Sequence, residues 1–191
     1  MKNTKQLILD TAIKMFSENS FNKISIMDIC EKCSITKGTF YYHYNSKNEL
    51  LLAYYESLLI NTISITKDLI AFDSPYEQLW RLLESVIDNE ISMGCDLLKH
   101  LIIIDIEREC GLFTPYAALR KKRSVEYIDL VKSIIIKGQE AGEIRNNIKP
   151  RELYFAFIAA AQTVIINWAS TNGRLPIKNE LKQLFDTIFS C

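Results

Sequence analysis

The stretch Ser25-Ile26-Met27-Asp28-Ile29-Cys30-Glu31-Lys32-Cys33-Ser34-Ile35-Thr36-Lys37-Gly38-Thr39-Phe40-Tyr41-Tyr42-His43-Tyr44 decides how this chain is read. It divides into two helical segments, near 25–32 and 36–42, with only Cys33-Ser34-Ile35 between them. Two short helices joined by so tight a turn, the second about two turns long, form the pattern of a helix-turn-helix. Ser25 is placed to cap the first helix, with Asp28 at the reciprocal position, and Thr36 to cap the second. Ile26, Ile29, Cys30, Ile35 and Phe40 are spaced to lock the pair together. With Phe40 inward, the helical wheel turns Lys37, Gly38, Tyr41 and Tyr42 away from the core. Gly38 and Thr39 are small enough to let backbone approach a groove, while lysine and tyrosine supply a charge and hydroxyls for phosphate oxygens.

Outward from this stretch the whole chain reads as all-α. It has 191 residues, 48% hydrophobic and 24% charged, with only 6 glycines and 4 prolines, which excludes collagen-like, low-complexity and turn-rich all-β architectures. Apolar stripes at helical spacing run through Ile8, Ala12, Met15 and Phe16, through Leu79, Leu82, Leu83, Val86 and Met93, and through Val125, Ile128, Val131, Ile134 and Ile135. Start signals stand at Ser46-Lys47-Asn48-Glu49, Ser74-Pro75-Tyr76-Glu77, Thr114-Pro115 and Lys149-Pro150-Arg151-Glu152, and stop signals at Gly111, Gly142 and Gly173. They predict about nine helices, near 3–18, 25–32, 36–42, 46–70, 75–93, 95–110, 115–141, 150–171 and 177–189. Gly138 blurs the end of the seventh.

Formal net charge is zero, so no global field draws the chain to nucleic acid or anionic lipid. Residues 1–50 nevertheless hold seven lysines against five acids, a local excess of +2. Five cysteines, an odd number, and an N-terminal Met-Lys-Asn-Thr-Lys-Gln without an apolar core point to free thiols in a reducing cytoplasm. The most membrane-like run, Leu153 to Ile166, spans about 14 residues and includes Gln162; crossing a bilayer takes roughly 20, so no membrane partner is expected.

The segments Ile29-Cys30 and Cys33-Ser34-Ile35-Thr36-Lys37-Gly38-Thr39-Phe40-Tyr41-Tyr42-His43-Tyr44, followed by Ser46-Lys47-Asn48-Glu49-Leu50-Leu51, resemble the DNA-binding signature of the TetR (tetracycline-repressor-like) family. The resemblance covers about residues 5–55; beyond them it is one of length and helix count. It implies a helix-turn-helix DNA-binding domain over 1–45 and an effector-binding and dimerisation domain over 46–191. By resemblance Lys37, Gly38, Thr39, Tyr41, Tyr42 and His43 face double-stranded DNA, Lys47 binds phosphate, and Ser25 and Thr36 touch the DNA backbone. Three positions depart from the pattern. Ser20 and Ser34 stand where glycine is usual, and Ile24 where threonine is. A left-handed Ser34 costs about 1 kcal/mol relative to glycine.

The same resemblance places a small-molecule effector pocket among the helices of 46–141. Its expected lining is Tyr54, Tyr55, Trp80, Glu84, Ile87, Met93, Leu98, Ile102, Asp105 and Tyr127, with Gln162 from the next helix. A solvated edge, or pairing with Arg81 or Arg108, is the simpler reading of Glu84 and Asp105. The helix from Pro150 is apolar nearly all round. Ala156, Ala160, Thr163, Asn167 and Ser170 form one stripe, and Phe157, Ala161, Val164 and Trp168 another. With Leu181, Leu184, Phe185, Ile188 and Phe189 of the last helix, this suggests a two-fold, four-helix homodimer interface.

Other constellations carry less. The Cys30-Glu31-Lys32-Cys33 spacing has no second pair and reads as core packing rather than zinc or redox chemistry. His100, near Cys95, reads as an ordinary helix histidine, and Arg120-Lys121-Lys122-Arg123 as a solvated face. No metal or cofactor is expected. With two histidines and no glycine-rich loop an enzyme is not expected. The reading is a ligand-responsive transcriptional regulator, a repressor, acting on a palindromic operator. Its alternatives are a DNA-binding regulator without small-molecule input, or a small helical enzyme or carrier.

Overall fold

The structure, a computed structural model, describes residues 4–65, 74–108 and 122–190. Among them lie eight α-helices, one 3-10 turn and no strand: α1 Thr4–Glu18, the turn Phe21–Lys23, α2 Ile26–Cys33, α3 Lys37–His43, α4 Lys47–Ile65, α5 Pro75–Arg108, α6 Lys122–Glu140, α7 Pro150–Ser170 and α8 Ile177–Phe189. The expected ends near 70 and 110, the Gly111 stop, the Thr114-Pro115 start, and Arg120 and Lys121 of the basic run lie outside the described residues.

Two of the nine expected helices, near 75–93 and 95–110, run together as α5. The break between them survives as a kink at Gly94, whose φ of 77° and ψ of 161° interrupt the helical path. A side chain at that φ would be strained, and glycine is not. At Gly138 the reason for glycine is space. A Cβ there would stand 2.6 Å from Ile144 Cδ1, so its absence lets the chain fold back and bury Ile144 at 1% exposure. The N–H groups of Glu143 and Ile144 both donate to the Gly138 carbonyl and close the helix end.

Helices α1 to α3 pack around Ile8, Leu9, Ala12, Phe16, Ile29, Cys30, Cys33 and Phe40, all buried. Both thiols of the Cys30–Cys33 pair thus sit inside this small core. Helix α4 packs on α1 at its start and on α5 beyond, so it spans from this head into the remaining helices. There α5 is central and contacts α4, α6, α7 and α8. At its start, α5 is capped partly from outside. Ser74 Oγ accepts from Glu77 N–H at 3.2 Å, and Glu143 Oε2 accepts from Ser74 Oγ at 2.6 Å and Tyr76 N–H at 3.1 Å.

Helix α7 separates its two stripes as expected. Phe157, Ala161 and Trp168 are buried, whereas Ala156, Thr163, Asn167 and Ser170 are exposed and Ala160 is half-buried. Leu181 and Phe185 of α8, expected at a dimer interface, are instead fully enclosed within the protomer. Phe185 lies 4.7 Å from Phe189 and 5.2 Å from Trp80, ring to ring. The apolar stripe of α8 is wide enough that its centre line seals the core, leaving Leu184 and Ile188 half-open at its flank. α7 is 21 residues, long and apolar enough by length and composition to cross a bilayer. Its Leu153, Tyr154, Phe155, Phe157, Ile165 and Trp168 pack into this core, which accounts for its hydropathy.

Candidate functional site

Local chemistry builds the α2–α3 pair. Ser25 Oγ accepts from Asp28 N–H at 3.2 Å, and the Asp28 carboxylate accepts from Ser25 N–H at 2.7 Å, a complete capping box. These bonds hold the Asp28 carboxyl below its ordinary pKa. Ser34 ends α2 in the left-handed region, φ 55° and ψ 45°, and Ile35 N–H bonds back to the Cys30 carboxyl-side carbonyl at 3.0 Å. Thr36 Oγ1 accepts from Thr39 N–H at 3.1 Å and opens α3. Each expected cap is therefore present, which leaves α3 little freedom to rotate.

That orientation puts Phe40 fully inside and its neighbours out. Lys37 and Gly38 are exposed, Tyr41 is 50% and Tyr42 83% exposed, while Thr39 and His43 are half-buried. Tyr42 and His43 meet edge to face at 4.9 Å. Tyr44 is buried and donates to the Lys5 carbonyl at 3.2 Å, tying the end of α3 to α1. The result is a lysine, a glycine, a threonine and two phenols on one convex face.

Lys47 does something the sequence did not disclose. Its ammonium donates to the carbonyls of Phe21 at 2.6 Å and Ile24 at 2.9 Å and lies 4.1 Å from the Phe21 ring centroid. Two of its three N–H donors are thus committed within the protein, leaving one for an outside phosphate. Burial lowers its pKa, and nearby Asp96 opposes that. Asp96, on α5 just past the Gly94 kink, accepts from Phe21 N–H at 2.8 Å. His100, one turn on, lies with its ring 4.7 Å from that of Phe21. The 3-10 turn at Phe21 is therefore held on one side by α4 and on the other by α5.

The expected effector lining is only partly brought together. Glu84 pairs with Arg81 at 2.9 Å at the solvent edge, so it does not form a pocket wall. Trp80 packs against Phe185, about 15 Å along the helix from position 90 at 1.5 Å per residue. Met93 and Leu98 are buried, and Tyr54, Ile102 and Gln162 half-buried. Asp105 is 1% exposed, and Tyr127 has its hydroxyl inside. The residue missed is Glu90, 3% exposed, which accepts from the Tyr55 hydroxyl at 3.2 Å. Its second oxygen, Oε2, and the Tyr127 hydroxyl are both buried without a hydrogen-bond partner. Burial pushes Glu90 up to about 8, the bond from Tyr55 opposing it. Tyr55 is held well above the ordinary tyrosine range by burial first, then by Glu90, Tyr127 and Asp105. Tyr127 is raised by burial, Tyr154 and Glu90. Five ionisable groups from α4, α5, α6 and α7 thus share one enclosed region.

Residues 8–54 match the family model described as bacterial regulatory proteins, tetR family. Over that segment the chain is similar to the tetR family. Among curated relatives, the transcriptional regulator YvdT of Bacillus subtilis is 40% identical over 97 residues, which cover 51% of this chain and 48% of YvdT. A second Bacillus subtilis regulator, YuxN, is 34% identical over 99 residues, covering 47% of this chain, so the chain spans about half or less of these relatives, 33% in the case of YuxN. The transcriptional repressor DhaR of Mycobacterium sp. (strain GP1) is 25% identical over 96% of this chain and 91% of its own. Among solved structures, AibR in complex with isovaleryl coenzyme A and operator DNA superposes with a TM-score of 0.59 at 20% identity, covering 98% of both chains. That likeness shows a shared fold that continues through α4 to α8, where sequence similarity has faded.

Proposed function

We propose that this chain is a ligand-responsive, DNA-binding transcriptional repressor of the tetR family that works in the cytoplasm as a homodimer. Residues 1–45 form the reading head and 46–191 the effector-binding and dimerisation part. The observation that carries the reading is α3, a helix capped by Thr36 that buries Phe40 and turns Lys37, Gly38, Tyr41 and Tyr42 to solvent. Placed in a major groove, Gly38 and Thr39 permit close approach, and the lysine and phenols reach phosphates and base edges. Ser25 and Thr36 flank this face at helix starts, where backbone N–H groups favour anions.

One head with a small positive excess binds weakly, and two double the contacts. The stripe of exposed Ala156, Thr163 and Asn167 and half-buried Ala160 on α7, with Ile166 at 45% exposure and half-open Leu184 and Ile188 on α8, is the face on which we place the second copy. Two-fold pairing there would set the recognition helices about 34–36 Å apart, one turn of duplex.

Signal transfer follows from two helices that touch both ends. α4 carries Lys47 at the head and Tyr55 at the buried cluster; α5 carries Glu90 before the Gly94 kink and Asp96 and His100 after it. A guest that shifts either helix tilts the Phe21 turn and changes the spacing of the heads. A coupling of about 1–3 kcal/mol alters operator affinity about 5–150-fold. The test is operator binding by fluorescence anisotropy with and without effector. A saturating effector that binds yet leaves operator affinity unchanged would refute the coupling.

A further inference from the structure

The buried cluster has a chemical signature that narrows its guest. Glu90 Oε2 and the Tyr127 hydroxyl are enclosed, with no hydrogen-bond partner. Leaving such groups unpaired is costly, and native structures seldom do so without a ligand or function to account for it. Around them stand the hydroxyls of Tyr55 and Tyr154 and the carboxyl of Asp105, the titratable groups that face the site from α4, α7 and the second half of α5. Among the described residues the only buried charged side chains are Glu90 and Asp105, both acidic. On the same helix as Glu90, Ile87, Met93, Leu98 and Leu101 are all buried as well. Glu90 Oε2 and the Tyr127 hydroxyl, unpartnered and buried among apolar residues, are matched by a guest whose cationic N–H groups donate to both once Glu90 has given up its proton.

We propose that the effector is a lipophilic amine, bound with its ammonium on Glu90 Oε2 and the Tyr127 hydroxyl and its apolar body among the leucines and isoleucines of α5. This rests on the reading of the chain as an effector-responsive regulator and assigns it a ligand class unlike the coenzyme A thioester bound by AibR. Binding is written as an exchange: the ammonium donates hydrogen bonds to the Glu90 carboxylate and the Tyr127 oxygen, and the proton held by Glu90 leaves to solvent. Because burial pushes Glu90 up to about 8, it holds its proton at pH 7, and capture of an ammonium releases that proton.

The experiment is isothermal titration calorimetry of the full chain with n-octylamine, n-octanol, octanoate and octanoyl coenzyme A, at pH 7 in two buffers of different ionisation enthalpy. Octylamine is expected to bind at least about tenfold more tightly than the other three, with close to one proton released. Glu90→Gln is expected to lose at least about tenfold in octylamine affinity, its circular dichroism remaining that of the wild type. Should that variant not fold, proton release by the wild type decides. Octanoate or octanoyl coenzyme A binding as tightly as the amine, amine binding without proton release, undiminished binding by Glu90→Gln, or no amine binding at all would each overturn the proposal. Selection of DNA by the ligand-free wild type separates the two readings. A chain that binds the amine but selects no operator fails as a regulator, and one that selects an operator but prefers the thioester fails only here.

Discussion

Replacing Glu90 by glutamine keeps the volume and an acceptor for the Tyr55 hydroxyl, and removes an acid that burial pushes up to about 8. In the unfolded chain this carboxyl loses its proton near 4.5; in the folded protein it does so only near 8. Between those values the folded state holds a proton that the unfolded state has released. Wild-type stability therefore falls as pH rises through that window and levels off above it. At about 1.4 kcal/mol per pH unit of separation, the span from pH 5 to pH 9 captures about 4 kcal/mol. For a chain of this size that corresponds to about 10 °C in Tm. Glutamine has no proton to lose, so the stability of Glu90→Gln relative to wild type is expected to rise by that amount from pH 5 to pH 9. Urea and thermal unfolding of both proteins, followed by circular dichroism across this range, measure it. A difference that stays constant with pH would mean that Glu90 ionises alike in both states, and the reasoning about an enclosed, half-partnered carboxyl would be refuted.

Further outcomes test the head, the Phe21 turn and the dimer. Tyr42→Ala, which removes an 83% exposed ring from the recognition face, is expected to weaken operator binding without lowering Tm, as read by anisotropy and melting together. Lys47→Ala is expected to weaken binding about equally on all DNA sequences and also to destabilise the head by about 1.5–3 kcal/mol, because two charge-assisted bonds to carbonyls are lost; hydrogen exchange at α1 and α2 separates the effects. Asp96→Ala leaves the Phe21 N–H unpaired and is expected to speed its exchange about tenfold or more while blunting the response of operator affinity to effector. Ala160→Glu, which sets a charge into the exposed small-residue stripe of α7, is expected to yield folded monomers in sedimentation; an unchanged dimer would move the interface elsewhere.

The reading head was legible because its determinants are local. The Ser25–Asp28 box, the left-handed Ser34 and the Thr36 cap are separated by only a few residues, and each occurs in the structure as its spacing implied. What escaped depends on contacts distant in sequence. Glu90 fills the gap between Val86 and Met93 in an apolar stripe. A polar residue interrupting such a stripe was the available signal, but only packing by α4, α6 and α7 makes it buried. Lys47 turns inward because Phe21 and Ile24, 23 to 26 residues earlier, present their carbonyls to it. The assignment of Leu181 and Phe185 failed for a related reason. An amphipathic stripe states which face is buried, not whether the burying surface belongs to the same chain.

The most direct test of the whole account is selection of bound sequences from a random pool of duplex DNA by the wild-type protein. Two recognition helices related by a two-fold axis are expected to enrich a palindrome whose half-sites lie about 10–10.5 base pairs, or a multiple of that, apart. Enrichment of no sequence, or of a single unpaired half-site, would contradict it.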